Sequence, residues 1–308
     1  MIVVPISKAA AEQRKGRSGR TQPGKCYRLY TKQTYQETFQ AVVIPEIQRT
    51  NISHIVLELK ALGIDNFLDF EFLDPPAEKF ILQAFASLYS LKAIGDDGGL
   101  TSDGEKMAQF PLDPKLAKCL VSSGKQGCSR QIASIAALYA SSEGNIFVIP
   151  RGEHSRKQAK RMHEEYKSMA DDTRMFLDIF DSWAAAGYTE EWCASHFVSY
   201  RVLNRAYNVR NQLLQILDKV DIPIESSKDS RHIAQSLISG YFQNIAVLSP
   251  LGTFYTRLGK NDEIYVHPSS ALSKKRNAPK HIIFDALRST TKNYMINCTI
   301  VQPEWIIA

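Results

Sequence analysis

The sequence has little that would place it in a membrane or outside the cell. Its 308 residues contain no apolar run of about 18, the length that a membrane-spanning helix requires. The N-terminus puts a short apolar patch before its charges, which is the reverse of a secretory signal peptide. We therefore expect neither a membrane-spanning nor a secreted protein.

Paired cysteines are also absent. The five cysteines are odd in number and none stands in a Cys-x-x-Cys pair, so the sequence predicts neither a disulfide framework nor a zinc site. No histidine has a partner at metal-ligand spacing, and no metal site is predicted. A reducing compartment, the nucleus or the cytoplasm, is expected.

Excess positive charge is missing from most of the chain. The net charge is +6, and the first 40 residues alone hold eight Lys or Arg against two acidic residues, a balance that is also +6. Its centre is "QRKGRSGR", which starts at Gln13. Arg17 and Arg20 can present two guanidinium groups to phosphate oxygens, while Gly16 and Gly19 let a ligand approach the backbone. The pattern predicts one phosphate-binding element and not a general nucleic-acid coat.

The first half of the chain shows two patterns. "MIVV", "SKAAAEQRKG" and "CYRLYT" predict a strand, a helix capped by Ser7, and a second strand, which together form only part of an α/β layer and need residues upstream. From about residue 45 to 115, two amphipathic helices, the first with Gly63 as its expected C-cap, precede "GDDGGLTSDGEKMAQFP", which has the turn chemistry of a hairpin. This order is typical of a winged helix; a small helical domain with an added hairpin is the alternative.

The second half changes from helices to strands. Residues 115–220 are predicted to be mostly helical, and residues 151–167 hold six basic residues against three acidic ones, either a phosphate-tracking face or an ordinary solvated one. After residue 240, five short alternating segments predict a small antiparallel barrel of the OB type. OB barrels bind single strands with a positive groove and stacking aromatics. The aromatics here, most of them expected in the core, are Tyr241, Phe254, Tyr255, Tyr265 and Tyr294.

The ordered set of motifs resembles one family. "PISKAAAEQRKGRSGRTQPGKCYRLYT" is similar to the last motif of the second RecA-like domain of DEAH-box RNA helicases. "LELKALGIDNFLDFEFLDPP" and "LYSLKAIGDDGGLTSDGEKMAQFPLDP" resemble the family's winged helix. "CSRQIASIAAL" and "WCASHFVSYRVLNRAYNVRNQL" resemble its ratchet domain, and "GYFQNIAV", "YVHPSSAL", "TTKNYM" and "PEWI" its OB-like domain.

The resemblance implies roles for particular residues. Gln13 would hold the attacking water, and Arg17 and Arg20 would act as arginine fingers on the γ-phosphate of ATP bound with Mg²⁺. Gly16 and Gly19 would lie beside the nucleotide. The implied partners are single-stranded RNA and a glycine-rich activator of the G-patch type, and the family favours the nucleus and mRNA splicing. The predicted RNA contacts are Lys274, Lys275, Arg276, Lys292 and Tyr294.

The sequence also departs from the family. It contains no Gly-x-x-x-x-Gly-Lys-Ser/Thr loop and no Asp-Glu-Ala-His tetrapeptide, so we expect no ATP hydrolysis by this chain alone and most nucleotide contacts on domains outside it. Thr173 stands where the family has a histidine before an apolar helix, and the OB-like segment ends early.

These observations predict a multidomain α+β chain. The expected domains are the end of a RecA-like α/β domain (1–42), a winged helix (43–114), a helical ratchet domain (115–235) and an OB-like β-barrel (236–308). The expected function is that of the C-terminal region of an ATP-dependent RNA helicase that translocates on single-stranded RNA and remodels RNA or RNA–protein complexes. One alternative is a non-catalytic module that binds RNA or protein. A winged-helix transcription regulator is a poorer third, since its candidate helix has only Lys79 and Lys92 as basic residues.

Overall fold

The computed structural model describes residues 5–67, 70–142, 146–168, 170–260, 262–273, 275 and 277–306. The α-helices are α1 (Lys8–Lys15), α2 (Lys32–Glu37), α3 (Ser53–Ala61), α4 (Glu78–Ser90), α5 (Ser102–Met107), α6 (Pro114–Lys125), α7 (Ser129–Ser142), α8 (Glu153–Lys167), α9 (Asp172–Ala185), α10 (Glu190–Ser195), α11 (Tyr200–Lys219), α12 (Ser230–Tyr241) and α13 (Pro303–Ile306). The strands are β1 (Ile245–Leu248), β2 (Tyr255–Arg257), β3 (Glu263–Val266), β4 (His281–Ser289) and β5 (Asn293–Ile300). None of the described helices combines the length and the apolar composition needed to cross a membrane.

The chain divides into two compact units. The first consists of Met1–Ile52 and Asn66–Ala84, and the second of Ser53–Asp65 and Phe85–Ala308. The first therefore holds the basic motif, and the second holds the helical region and the barrel.

The predicted helix in the first unit is confirmed. The Ser7 side chain accepts a hydrogen bond from the Ala10 amide and so caps α1. The predicted strand "MIVV" lies outside the described residues. The strand predicted over "CYRLYT" is wrong: residues 26–31 form no strand, and the side chains of Tyr27 and Leu29 are 83% and 100% exposed. A strand needs a neighbour to pair with, and the described part of this unit offers none.

Helix α3 ends as its sequence predicts. Gly63 has a φ of +80°, its amide donates to the Lys60 carbonyl, and the Ile64 amide donates to the Leu59 carbonyl. This is a Schellman cap, which favours glycine because the left-handed conformation clashes with a Cβ atom.

The predicted hairpin is much shorter than expected. A single antiparallel bridge joins Ile94 and Leu100, and the residues after it form helix α5. Thr101 starts that helix by accepting a hydrogen bond from the Gly104 amide. Capping by Thr101 thus favours a helix where the turn-rich pattern indicates a second hairpin strand.

In the helical region, helices that are far apart in the chain pack against each other. Helix α6 packs against α12, and α7 packs against α11. Gly240 permits the first pairing, because a Cβ atom built there would lie 2.1 Å from the Lys115 carbonyl oxygen. The thiol of Cys119 lies 3.6 Å from the Leu237 carbonyl oxygen, to which it donates. The predicted helical character of residues 115–220 is confirmed.

The five predicted strands form a closed barrel in the order β1-β2-β3-β5-β4. Four of the pairings are antiparallel, as expected, but β3 and β5 run parallel and complete the barrel. Its core includes Tyr255, Ile264, Phe284, Met295 and Cys298. This strand order is that of an OB fold, so the predicted fold is confirmed.

Candidate functional site

The basic motif spans the last turn of α1 and the turn that follows it. Helix α1 ends at Lys15, and every side chain from Gln13 to Arg20 is exposed. The Arg17 amide donates to the Arg14 carbonyl at 3.1 Å, and the Ser18 hydroxyl donates to the Lys15 carbonyl at 2.7 Å. Arg17 and Arg20 therefore project from an ordered turn beyond the helix and not from the helix itself.

Three glycines in this turn have different surroundings. A Cβ atom at Gly24 would lie 1.9 Å from the Ser18 carbonyl oxygen, so local packing requires glycine there. At Gly19 a Cβ atom would meet no described atom within 4 Å, and at Gly16 its closest contacts would be ordinary ones at 3.6 Å. The backbone at Gly16 and Gly19 is thus open to solvent, as a ligand-approach role requires.

Glu12 connects α1 to the segment that follows the motif. Its Oε1 atom accepts hydrogen bonds from Arg28 Nη2 at 2.5 Å and from the Tyr35 hydroxyl at 3.2 Å. The Arg28 guanidinium also lies 4.9 Å from the centroid of the Tyr35 ring. The hydrogen bond from Arg28 lowers the pKa of Glu12, and the same bond raises the pKa of Arg28.

Sequence reasoning missed the Glu12–Arg28 pair, because the two residues lie 16 positions apart in the chain. The available signal was that Glu12 is one of two acidic residues among the first 40. Arg17 and Arg20 form no ion pair with any residue that the structure describes. Since Arg28 neutralises Glu12, the guanidinium groups of both arginines are available to an anionic ligand.

A row of aromatic side chains lies on the outer face of the barrel. Tyr265 and Tyr294 are paired in the register of β3 and β5, with ring centroids 6.4 Å apart. Phe254 lies 6.5 Å from Tyr265, and His267 lies 5.6 Å from Tyr294. Successive side chains of a strand point to opposite faces of the sheet. Ile264 and Met295, the chain neighbours of Tyr265 and Tyr294, point into the core, so the two tyrosine rings point outward. We call Phe254, Tyr265, His267 and Tyr294 the aromatic row.

Lys292 completes this surface. Its Nζ atom lies 3.9 Å from the centroid of the Tyr265 ring, which places a cation directly over an aromatic face. The structure thus brings together two of the predicted RNA contacts, Lys292 and Tyr294. Partial burial and the positive charges of Arg288 and Lys167 lower the pKa of His267, which disfavours the charged form of this imidazole.

The other predicted residues have different surroundings. Tyr241 and Tyr255 are buried, and their hydroxyls donate to Asp285 and to the Pro279 carbonyl, so both belong to the core. Lys275 donates from Nζ to the Ala170 carbonyl and so ties its loop to the start of α9. The predicted contacts Lys274 and Arg276 lie outside the described residues.

Two buried aspartates connect α9 to the barrel. Asp172 accepts hydrogen bonds at Oδ1 from the Ser270 hydroxyl and the Ala271 amide, and at Oδ2 from the Cys298 amide, at 2.9, 2.6 and 2.8 Å. Asp171 caps α9 through the Arg174 amide, and its second oxygen accepts from the Ile300 amide in β5. Burial raises the pKa of both carboxyl groups. We call Asp171 and Asp172 the acidic junction.

Thr173 continues the same junction. Its hydroxyl lies 2.9 Å from the Tyr139 hydroxyl and 2.6 Å from the Thr299 hydroxyl, within hydrogen-bonding distance of both. The residue that departs from the family motif is therefore buried between α7 and β5, where a hydroxyl serves the packing of the helical region on the barrel.

Comparison with known proteins matches three segments of the chain. Residues 84–112 match the winged-helix part of the helicase associated domain HA2, and residues 113–177 match its ratchet-like part. Residues 233–308 match an oligonucleotide/oligosaccharide-binding (OB)-fold model.

Two curated relatives align with the whole chain. One is the pre-mRNA-splicing factor ATP-dependent RNA helicase prp22 of Schizosaccharomyces pombe, 39% identical over 308 residues. The other is the probable ATP-dependent RNA helicase DHX35 of Pongo abelii, 38% identical over 309 residues. The chain carries the HA2 and OB-fold segments of a helicase-associated region, as the resemblance to DEAH-box helicases predicted. The family predicted from the sequence motifs is confirmed.

The chain spans less than half of the length of these relatives. The alignment covers 26% of prp22 and 42% of DHX35. The OB-fold match begins at residue 233, within α12, so it includes most of a helix as well as the barrel. The domain limits at residues 42, 114 and 235 stay a prediction.

Proposed function

We propose that the protein works as part of an ATP-dependent RNA helicase, to whose nucleotide site it contributes arginine fingers. The observation that carries the proposal is the exposed turn bearing Arg17 and Arg20, held in place by the Glu12–Arg28 pair. Both relatives are named as ATP-dependent RNA helicases, which supports this assignment. ATP and Mg²⁺ would bind mainly to residues outside the sequence, since the sequence has no phosphate-binding Gly-rich loop.

The chemistry follows from where charge develops. Transfer of the γ-phosphoryl group to water spreads negative charge over its oxygens, and a positioned guanidinium stabilises that charge. Arg17 and Arg20 would supply these groups, Gln13 would orient the water, and the open backbone at Gly16 and Gly19 would admit the phosphates. Such an arginine accelerates hydrolysis by roughly 10³ to 10⁵.

The test is Arg20→Ala in the full-length helicase. We expect ATP turnover to fall by roughly 10³ or more while nucleotide binding persists, because the arginine acts mainly in the transition state. Arg49→Ala, which removes an exposed arginine of the first unit, serves as the matched control. Full turnover in the Arg20 variant would exclude the finger role.

We also propose that single-stranded RNA binds along the aromatic row. Bases would stack on Tyr265 and Tyr294 and a phosphate would approach Lys292, so binding would depend little on base sequence. Stacking is worth about 1–3 kcal/mol per base, so Tyr294→Ala should weaken binding of a labelled single strand by roughly 5- to 150-fold.

Tyr294→Phe is the matched control, because it keeps the ring and removes only the hydroxyl. It should bind as the unchanged protein does. Equal affinities of the alanine and phenylalanine variants for the single strand would contradict the stacking role. Binding should weaken as salt concentration rises, since phosphate contacts release counterions.

The cellular setting is proposed from the relatives. We propose a nuclear protein that remodels RNA or RNA–protein complexes and responds to a glycine-rich activator. The splicing-factor name of prp22 supports the nuclear assignment. Fluorescence imaging of the tagged protein in its own cells tests this location, and an exclusively cytoplasmic signal would contradict it.

A non-catalytic RNA-binding module is the second candidate. The absence of a Gly-x-x-x-x-Gly-Lys-Ser/Thr loop from the sequence favours it. The mass of the native protein, detected with an antibody to the barrel, distinguishes the two. A mass larger by two domains, on the order of 300 residues, supports the helicase, and a mass near 34.7 kDa supports the module.

A further inference from the structure

Helix α8 carries a basic surface that the proposed function does not use. The side chains of Arg156, Lys157, Lys160 and Arg161 are exposed, at helical positions that form one face, and Arg151 lies just before the helix. We call these five residues the α8 basic face. The opposite side of the helix is packed, with Ala159 and Tyr166 buried.

The helix dipole does not account for the basic face of α8. Cations are favourable near a helix C-terminus and anions near the N-terminus. Glu153 in the first turn and Lys167 in the last turn follow this rule. Arg156 and Lys157 lie close to the N-terminus, where the dipole disfavours cations, so the dipole does not explain their positions.

Ion pairing does not explain it either. Lys157 contacts Glu153 at 3.0 Å. Arg156, Lys160 and Arg161 form no ion pair with any residue in the described ranges. Three cations on one rigid face are thus left facing solvent, where they are available to an external anion.

The chemistry of the face selects the ligand. From Glu153 to Glu165 every fully exposed side chain is polar or charged. A protein partner would need apolar anchors, and lysine is depleted at protein interfaces. A splayed single strand would need aromatic platforms, which this face lacks. The phosphate backbone of a duplex needs only correctly spaced cations, and double-stranded RNA is recognised mostly through such contacts.

We propose that the α8 basic face binds the phosphate backbone of double-stranded RNA. From Arg156 to Arg161 the helix rises about 7.5 Å. Each strand of a duplex carries one phosphate per about 3.4 Å of axis, so this span can meet about two phosphates of one strand. This inference rests on the proposed RNA-binding function, and it adds a duplex-contacting surface distinct from the aromatic row.

The experiment compares two triple variants of the 308-residue chain. One is Arg156→Gln, Lys160→Gln and Arg161→Gln, and the matched control is Lys219→Gln, Lys228→Gln and Arg231→Gln, which removes three exposed cations elsewhere. Fluorescence anisotropy measures binding of a single-stranded RNA and of a blunt duplex of about 16 base pairs. Circular dichroism verifies that both variants are folded.

The α8 variant should lose at least about tenfold in duplex affinity at about 0.1 M salt, and its logarithmic salt slope should fall by about 2–3, roughly 0.9 per lost contact. Its affinity for the single strand should stay within about twofold, as should all affinities of the control. Unchanged duplex binding, or an equal loss for both RNAs, would overturn the inference.

Two further results separate the possible failures. Normal single-strand binding with no duplex binding by the unchanged chain would overturn the duplex site and leave the proposed function standing. If the α8 variant no longer bound a labelled poly-glutamate probe but still bound the duplex, the face would be assigned to an acidic protein. That result would overturn the proposal.

Discussion

Asp172→Ala is expected to loosen the barrel from the helical region. Asp172 is the acceptor for two buried backbone amides, those of Ala271 and Cys298, and for the Ser270 hydroxyl. The hydroxyl can rotate to another acceptor, but the amides cannot. Each unsatisfied buried amide costs about 1–3 kcal/mol, which gives roughly 2–6 kcal/mol for the pair.

An opposing contribution reduces that figure. Burial raises the pKa of Asp172, which shows that the ionised carboxylate is itself costly to bury. We therefore expect a net loss of about 3 kcal/mol in the free energy of unfolding of the second unit. Asp172→Asn should cost about half as much, because its oxygen still accepts hydrogen bonds and only one amide is left without an acceptor.

Urea unfolding gives the stability, and hydrogen exchange gives its location. The amides of Ala271 and Cys298 should exchange faster in Asp172→Ala, since their acceptor is gone. Asp218→Ala removes an exposed carboxylate and should change stability by no more than about 0.5 kcal/mol. A loss that small in Asp172→Ala, with unchanged exchange at Cys298, would refute the junction's role.

Three further outcomes are expected. Gly240→Ala should destabilise the protein by about 1–3 kcal/mol, because the new methyl group would overlap the Lys115 carbonyl. Thermal melting measures this loss, and a variant more stable than the unchanged protein would contradict the prediction. Iodoacetamide should label only Cys26 in the folded chain. The other four thiols are buried, and burial raises their pKa, that of Cys193 to about 11. Mass spectrometry counts the labels, and a second label on the folded chain would contradict the prediction. Burial raises the pKa of Asp285, so its contribution to the free energy of unfolding should fall as pH rises from about 4 through that raised value. This decline in stability should be shallower in Asp285→Asn. Parallel profiles of melting temperature against pH for the two proteins would contradict the expectation.

Local patterns predicted those features that local physics determines. Ser7 before a run of helix formers predicted the start of α1, and Gly63 predicted the end of α3, because both caps involve neighbouring residues. Alternation predicted the strands that place Ile264 inside the barrel and Tyr265 outside it. The ordered motifs predicted the family, which the comparisons confirm.

Features that depend on distant residues could not be predicted. "CYRLYT" has strand-like alternation, but a strand forms only where a neighbour pairs with it. The sequence gives no sign that Asp172 accepts hydrogen bonds from residues about 100 and 126 positions away. The partner of Glu12 was missed for the same reason, since Arg28 reaches it only through the fold of the first unit.

The pairing of α6 with α12 has a consequence for synthesis of the protein on the ribosome. The two helices are separated by about 115 residues, so α6 emerges long before its partner. At about 5–20 residues per second, its apolar face stays uncovered for roughly 6–25 s. During that interval Cys119, which in the finished fold is buried and donates to the Leu237 carbonyl of α12, is accessible to chaperones, and the nascent helical region completes its core only once α12 has left the exit tunnel.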